Sequence, residues 1–315
     1  RVETITSYEE GTEIFGADTE SAHGMSALLK LLFANGAGTV KAVAVGSDDS
    51  GKADYESAFA ALSEEEDVGI VVCDSAETTV HQSLKESVEG ASAARRERIA
   101  VVGGKEETAA QMVSHARAIN SERVVLVGPD VTLSDGTERS AAFAAAAVAG
   151  VIAAGGSAST PINGAALAGV GAVSRRLSDS EIDQLVRGGV TPLEAVGGIC
   201  SPMRGITTRT TSGGAADTTW REMTTILIVD EVIPTIRNAL RTRFARCRNT
   251  AQSRGAIRSQ VVLELEEMKR REIVDGYGEV KVNALESDPT VCLVEFSFTV
   301  AHGLNRIYLT AHITV

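Results

Sequence analysis

Short β-branched runs alternate with longer helix-like stretches along the first two-thirds of the chain. Residues 40–45, 68–73, 99–102 and 124–127 are continuous apolar runs, the pattern of strands buried on both faces of a parallel sheet. Between them, 21–33, 55–62, 80–95, 108–119 and 140–154 have the length and composition of helices. Strand and helix in alternation read as a βαβ series, hence a layered α/β domain.

Beyond residue 203 the pattern changes. Trp220, Met223, Ile226, Leu227, Val232, Ile233, Ile236, Leu240 and Phe244 recur at spacings of three and four, which predicts a long helix with one buried face. Asp217, Thr218 and Thr219 are cap residues, and Thr219 with Glu222 forms a capping-box pattern, so the helix is expected to start close to Trp220. Pro234 removes one helical hydrogen bond and predicts a kink or a break. From 290 to 301 the chain alternates, with Cys292, Val294, Phe296, Phe298 and Val300 on one side. After a turn at 302–305, Ile307, Leu309, Ala311, Ile313 and Val315 alternate with Tyr308, Thr310, His312 and Thr314, and the two runs read as a hairpin. Its last strand is either an edge that another molecule can extend or a strand packed wholly in its own sheet.

Charge separates the two parts. The chain is acidic, with 42 Asp and Glu against 30 Lys and Arg and a pI near 5.0. Yet from Val232 to Leu263 there is no acid, while Arg237, Arg241, Arg243, Arg246, Arg248, Arg254 and Arg258 all fall there. Arg237, Arg241 and Arg248 are spaced four and seven apart, so one helical face is expected to present all three. A basic strip on an acidic protein suits docking on an acidic surface, of another copy or another protein. The alternative is a solvated face whose arginines favour the helix C-terminus. Nucleic acid is a poor partner: the strip's single aromatic, Phe244, belongs to the buried face, and the chain's acidity repels phosphate.

Composition narrows the class further. With 43% hydrophobic residues and a mean hydropathy of +0.05, the chain is an ordinary globular one, long enough for two domains. Its longest apolar stretch, 141–154, falls short of a membrane span. The chain opens at Arg1 without a signal peptide and reads as a fragment. Cys73, Cys200, Cys247 and Cys292 are far apart without zinc-ligand spacing, and are expected to be reduced thiols of a cytoplasmic protein.

Enzyme signals are weak. The segment 46–53, GSDDSGKA, nearly spells a phosphate-binding loop. However, Ala53 replaces the Ser or Thr that binds magnesium, and Asp48 and Asp49 put negative charge where phosphates must sit. Gly103, Gly104 and Lys105, and Gly155 with Gly156, read as turns. His23 lies in SAHGMS, but no Gly-Thr-Ser or Gly-x-Ser-x-Gly occurs downstream, and His81, His115, His302 and His312 show no partner spacing. The acid runs 64–67 and 264–267 read as a solvated turn and as the exposed face of a strand or helix end. A nucleotide hydrolase, a subtilisin-like hydrolase and a soluble binding module remain as alternatives to an assembly protein.

The motif DxxWRExTxILIVD at 217–230, succeeded by IPxIRxxLxxRF at 233–244, resembles the C-terminal domain of tail sheath proteins from contractile bacteriophage tails and related injection machines. PING at 161–164, Gly169 with Val170, and RRLSDSEIDQLVRGGVTPLE at 175–194 are similar to the same family. The resemblance implies a subtilisin-like layered α/β core over 21–203 and an α+β assembly domain over 204–315. Residues 1–20 would be a residual strand and linker whose upstream arm is missing, which leaves assembly of this chain weakened. It implies a non-enzymatic structural subunit, without cofactor or metal, that stacks helically around an inner tail tube and contracts. Its other partners would be baseplate and tail terminator proteins. Its place would be the virion tail, after assembly in the host cytoplasm. By the same resemblance, neighbouring subunits complete one another's sheets, with 307–315 as donor and 2–5 as remains of an N-terminal strand. Arg237, Arg241, Arg243, Arg246 and Arg248 are the candidates for contact with the tube or a neighbouring subunit.

Overall fold

The computed structural model of the 315-residue chain describes residues 1–17, 24–46, 51–105 and 108–303. They fall into two compact units, Arg1–Gly156 with Pro161–Met223, and Ser157–Thr160 with Thr224–Val315.

In chain order, the first unit contains β1 (Glu3–Ile5), α1 (Tyr8–Phe15), α2 (Met25–Ala34), β2 (Val40–Ala42), α3 (Lys52–Ser63), β3 (Ile70–Val72) and α4 (Thr78–Ala93). Next are β4 (Ile99–Gly103), α5 (Ala109–Ile119), β5 (Val124–Gly128), β6 (Val131–Leu133), β7 (Glu138–Arg139) and α6 (Ala141–Ala154). Then come β8 (Val170–Val173), α7 (Asp179–Arg187), β9 (Val190–Val196), β10 (Ile199–Pro202), β11 (Thr211–Ser212) and β12 (Ala215–Ala216). The central sheet has the order β10-β9-β5-β4-β3. Its strands β3, β4, β5 and β9 are parallel, and β10 closes the edge antiparallel.

One expectation changes here. The run at 40–45 does not join the parallel sheet: β2 pairs antiparallel with β1, Ile5 opposite Val40. Its place is taken by β9, whose Pro192 argues against a strand in sequence. The carbonyl of Pro192 accepts from the Met203 amide at 2.9 Å, so the residue still ties β9 to the chain beyond β10. Helices α1 and α7 also arise where only polar or mixed sequence was visible. Each begins with a serine, Ser7 or Ser178, whose side chain accepts the amide three residues on.

Both faces of the sheet are covered, as continuous apolar strands require. Val71, Ala100, Val102, Val124, Leu126 and Val190 pack with Phe59 of α3, Leu84 and Val88 of α4, Met112 and Ala116 of α5, and Leu185 of α7. On the other face lies α6, against β3, β4 and β5, with α2 packed on its outer side. Helix α6 is buried from Ala141 to Gly150, so it must be apolar all round, and its alanines keep it thin. At Gly103 a Cβ would sit 2.0 Å from the Ala141 carbonyl carbon, and at Gly150 one would sit 2.7 Å from the Leu32 carbonyl oxygen. Arg98, 2% exposed, donates to the carbonyls of Leu62 at 2.8 Å and Glu65 at 2.6 Å, which holds the end of α3 to the start of β4.

The segment 204–223 belongs by its contacts to this first unit, although its sequence pattern groups it with the long helix after it. Thr191 Oγ1 donates to the Ile206 carbonyl and accepts the Ile206 amide, and the Thr208 amide donates to the Val124 carbonyl at 2.8 Å. Thr208 Oγ1 and Ser121 exchange two further bonds. The threonines of this turn therefore stitch it to the sheet.

The second unit contains α8 (Met223–Phe244), α9 (Ala251–Arg270), β13 (Val274–Tyr277), β14 (Lys281–Leu285), β15 (Asp288–Glu295) and β16 (Phe298–Val300). Helix α8 starts at Met223, three residues later than expected, because Glu222 pairs with Arg204 and residue 222 bridges to Ile206 instead of completing a capping box. It continues through Pro234 without a break. Ile228 and Val232 before the proline and Ile236 after it enter one core with Val261, Leu265 and Met268 of α9, so packing outweighs the lost bond.

The alternation from Cys292 to Val300 survives, since each of these positions is half-buried and its neighbours are exposed. The ladder does not: β15 pairs with the preceding β14, and β16 pairs with β13. The expected partner strand, 307–315, lies outside the described residues.

Gly103→Ala is expected to destabilise the first unit by about 3 kcal/mol or more, because backbone of α6 occupies the space. Gly90→Ala, in α4 with open space around it, should stabilise by about 0.5 kcal/mol. Urea denaturation of the two variants checks both signs.

Candidate assembly surface

The arginines of the acid-free window come from three elements, and the structure sorts them. Arg237 and Arg241 lie on α8 four residues apart, and Arg243 near its end. Arg246 and Arg248 lie beyond Phe244, in the connection to α9, so Arg248 does not share a helical face with Arg237 and Arg241. A helix that stops at Phe244 cannot carry the seven-residue spacing.

Some of these cations have internal work. Arg243 donates to the Gln260 side-chain oxygen on α9, and Gln260 donates onward to Glu264 at 2.6 Å. Arg254 donates to Asn249 Oδ1 at 2.9 Å. Arg237 is half-buried and is engaged within the chain. Arg241, Arg246 and Arg248 are exposed and have no ion-pair partner among the described residues. The candidate set thus splits into arginines that close the α8–α9 hairpin and arginines left to solvent. Spacing alone cannot show this, because it depends on where α9 lies.

The catalytic alternatives find little support in the geometry. At the near-P-loop, the Gly51 amide donates to Asp54 at 2.9 Å and Lys52 pairs with Glu56 at 3.2 Å, so groups that would receive a phosphate serve helix α3 itself. His23 and His312 lie outside the described residues, and His302 is exposed. His81 and His115 do have a partner, each other, which their separation of 34 residues concealed: His81 Nδ1 lies 2.9 Å from His115 Nε2.

His81 Nε2 lies 2.8 Å from the Ser75 carbonyl oxygen, which can only accept. Nε2 therefore carries the proton, and Nδ1 accepts from His115. Neither ring nitrogen of His81 reaches a serine hydroxyl, as a nucleophile's base must. The rings are buried and stacked, with centroids 5.0 Å apart. Burial, then His115, pushes the His81 pKa down to about 4, against the opposing Ser75 carbonyl. Nearby, the Cys73 thiol is pushed up to about 12 by burial and then by Asp74, which marks an inert thiol. Among the described residues, no three His, Cys, Asp or Glu side chains gather as a metal site, and no helix is long and apolar enough to cross a membrane.

Comparison with known proteins decides the family. Residues 48–208 match the phage tail sheath protein central domain, and residues 215–314 match the phage tail sheath C-terminal domain. The chain belongs to the phage tail sheath family. The tail sheath protein of Bacillus phage SP01 is 31% identical over 225 residues, covering 69% of this chain and 38% of the relative. This sheath-family chain therefore spans less than half the length of that curated relative. Among solved structures, the helical sheath of the anti-feeding prophage in its contracted state superposes with a TM-score of 0.75 at 15% identity, covering 99% of this chain and 87% of that one. The contracted sheath complex of an extracellular contractile injection system, PVC, gives 0.75 at 15% identity, with 100% and 87% covered. The sheath tail protein of Desulfitobacterium hafniense gives 0.64 at 15% identity, with 83% and 66% covered. At such identities the likeness establishes a shared mixed α/β fold.

Two substitutions separate the bracing arginines from the outward ones. Arg243→Ala should cost the second unit about 1 kcal/mol by stranding Gln260, whereas Arg241→Ala should stay within about 0.5 kcal/mol of wild type in thermal melts. A His81 pKa held below its ordinary value of about 6.5 contributes stability that is complete above that pH and is lost as pH falls toward 4. His81→Gln should therefore flatten the fall in melting temperature between about pH 6.5 and 4 relative to wild type.

Proposed function

We propose that this chain is a structural subunit of a contractile tail sheath, polymerising helically around an inner tube and contracting to drive that tube through a target envelope. The observation that carries the reading is the two sheath domains matched in series over 48–208 and 215–314. The superposition on contracted sheaths over nearly the whole chain supports it. In this reading the α/β core, of the subtilisin-like kind expected from the resemblance, is a scaffold without a catalytic site. The assembly domain, expected over 204–315, has its own compact unit from Thr224, and Ile307, Leu309, Ala311, Ile313 and Val315 belong to the strand proposed for donation to a neighbour. Partners are further copies of the chain, the inner tube protein, the baseplate and the tail terminator. The subunit resides in the virion tail after assembly in the host cytoplasm.

No bond chemistry enters the mechanism. The work comes from a free-energy difference between two packings of identical subunits, an extended and a contracted one, with linked strands acting as hinges. The exposed arginines Arg241, Arg246 and Arg248 contact the tube or a neighbouring subunit, and Arg243 braces α8 against α9.

Negative-stain electron microscopy of the protein at high concentration, alone and co-expressed with its tube protein, tests the reading. Hollow striated tubes are expected. Dispersed monomers in both preparations would count against a sheath subunit.

A further inference from the structure

The exposed arginines have neighbours that give them a shaped setting. Asn249, directly after Arg248, donates its amide to the carbonyls of Pro289 at 2.7 Å and Val291 at 3.2 Å, which fixes the α8–α9 connection beside the start of β15. On β15, Val291 and Leu293 are 40% and 44% exposed, facing away from the core that Val294 joins. The connection that carries Arg246 and Arg248 thus lies beside an apolar strip, and Arg241 is in the last turn of α8 before it, a composition that suits a docking surface better than a solvated helix end.

The chain itself holds a matching element. Residues 224–315 contain eleven acids and twelve bases, so the acid excess of the whole sequence lies in residues 1–223. Several acids there are already neutralised: Glu64 by Arg96, Glu65 by Lys41, Glu122 by Arg209 and Glu181 by Arg175. Helix α1 differs. Glu9 and Glu13 stand one turn apart on its exposed side with no cationic partner among the described residues, and Ile14 beside them is 44% exposed. Two like charges at that spacing repel each other, a strain that cations from outside relieve.

We propose that Arg241, Arg246 and Arg248, with Val291 and Leu293, form a surface that docks on helix α1 of a second copy of this chain. The proposal rests on the sheath reading for the requirement that copies pack together, and it assigns the arginines to a neighbouring subunit rather than to the tube. The contact joins two different patches, so it is heterologous and propagates from copy to copy into a ring or an open helix. The carboxylates and guanidiniums set its register and its salt sensitivity, and the apolar side chains exclude water between them.

Charge exchange tests it. The chain in about 20 mM salt should associate in sedimentation velocity and dissociate in about 500 mM salt. Arg241→Glu with Arg248→Glu in one variant, and Glu9→Lys with Glu13→Lys in another, should each weaken association by about tenfold or more. Circular dichroism and melting temperature should stay those of wild type. An equimolar mixture of the two variants should associate again, because the acidic surface of one then meets the basic α1 of the other. A wild type that stays monomeric at low salt, or a mixture that remains monomeric, would overturn the proposal. Hollow tubes formed by either variant alone would overturn the α1 contact and leave the sheath reading standing.

Discussion

Burying a parallel sheet on both faces is the constraint on which the first unit depends. Strands β3, β4 and β5 have no polar side to turn to water, so one face needs a helix that is apolar all round. Helix α6 meets that need with alanines, and its thinness lets α2 pack behind it. The close approach is paid for at Gly103 and Gly150, where backbone of a neighbouring helix fills the space of a side chain. The outer helices can then be amphipathic and the surface acidic, because none of them has to bury charge to complete the core.

The second unit solves a different problem. Its core is made between two antiparallel helices and two two-stranded ribbons, and the helices meet through Ile228, Val232, Ile236, Val261 and Leu265. Such a core is small, and polar clamps supplement it. Arg243 with Gln260 joins the two helices, while Asn249 ties their connection to β15. The clamps engage some arginines of the acid-free window and leave others exposed.

In the proposed sheath, mechanical work passes through contacts that must be numerous and individually reversible. Exposed ion pairs suit that role: each is worth little and is screened by salt, yet a lattice repeats them in every subunit. His81 and His115 satisfy each other inside the helical layer, and Cys73 sits in the core.

Much of this was legible in sequence because it obeys short-range rules. The strands of the parallel sheet, the helices between them, the buried face of α8 and the alternation through Val300 depend on periods of two and 3.6, and those are local. The sheath motifs at 217–244 are likewise contiguous. What the sequence left open depends on residues far apart in the chain. Val40–Ala42 joins β1 because Glu3–Ile5 offers an antiparallel partner, and β9 enters the sheet despite Pro192 because β5 and β10 flank it. Pro234 fails to break α8 because α9 supplies packing on both sides of it, and β15 and β16 part company because β14 and β13 each claim one. Chain periodicity therefore determined most buried positions, although Ile228, outside the expected stripe of α8, is fully buried while Leu227 and Ile233 are half-buried. Only the tertiary structure decided which strand pairs with which, and which arginines remain exposed, because pairing energies and ion pairs belong to neighbours in space.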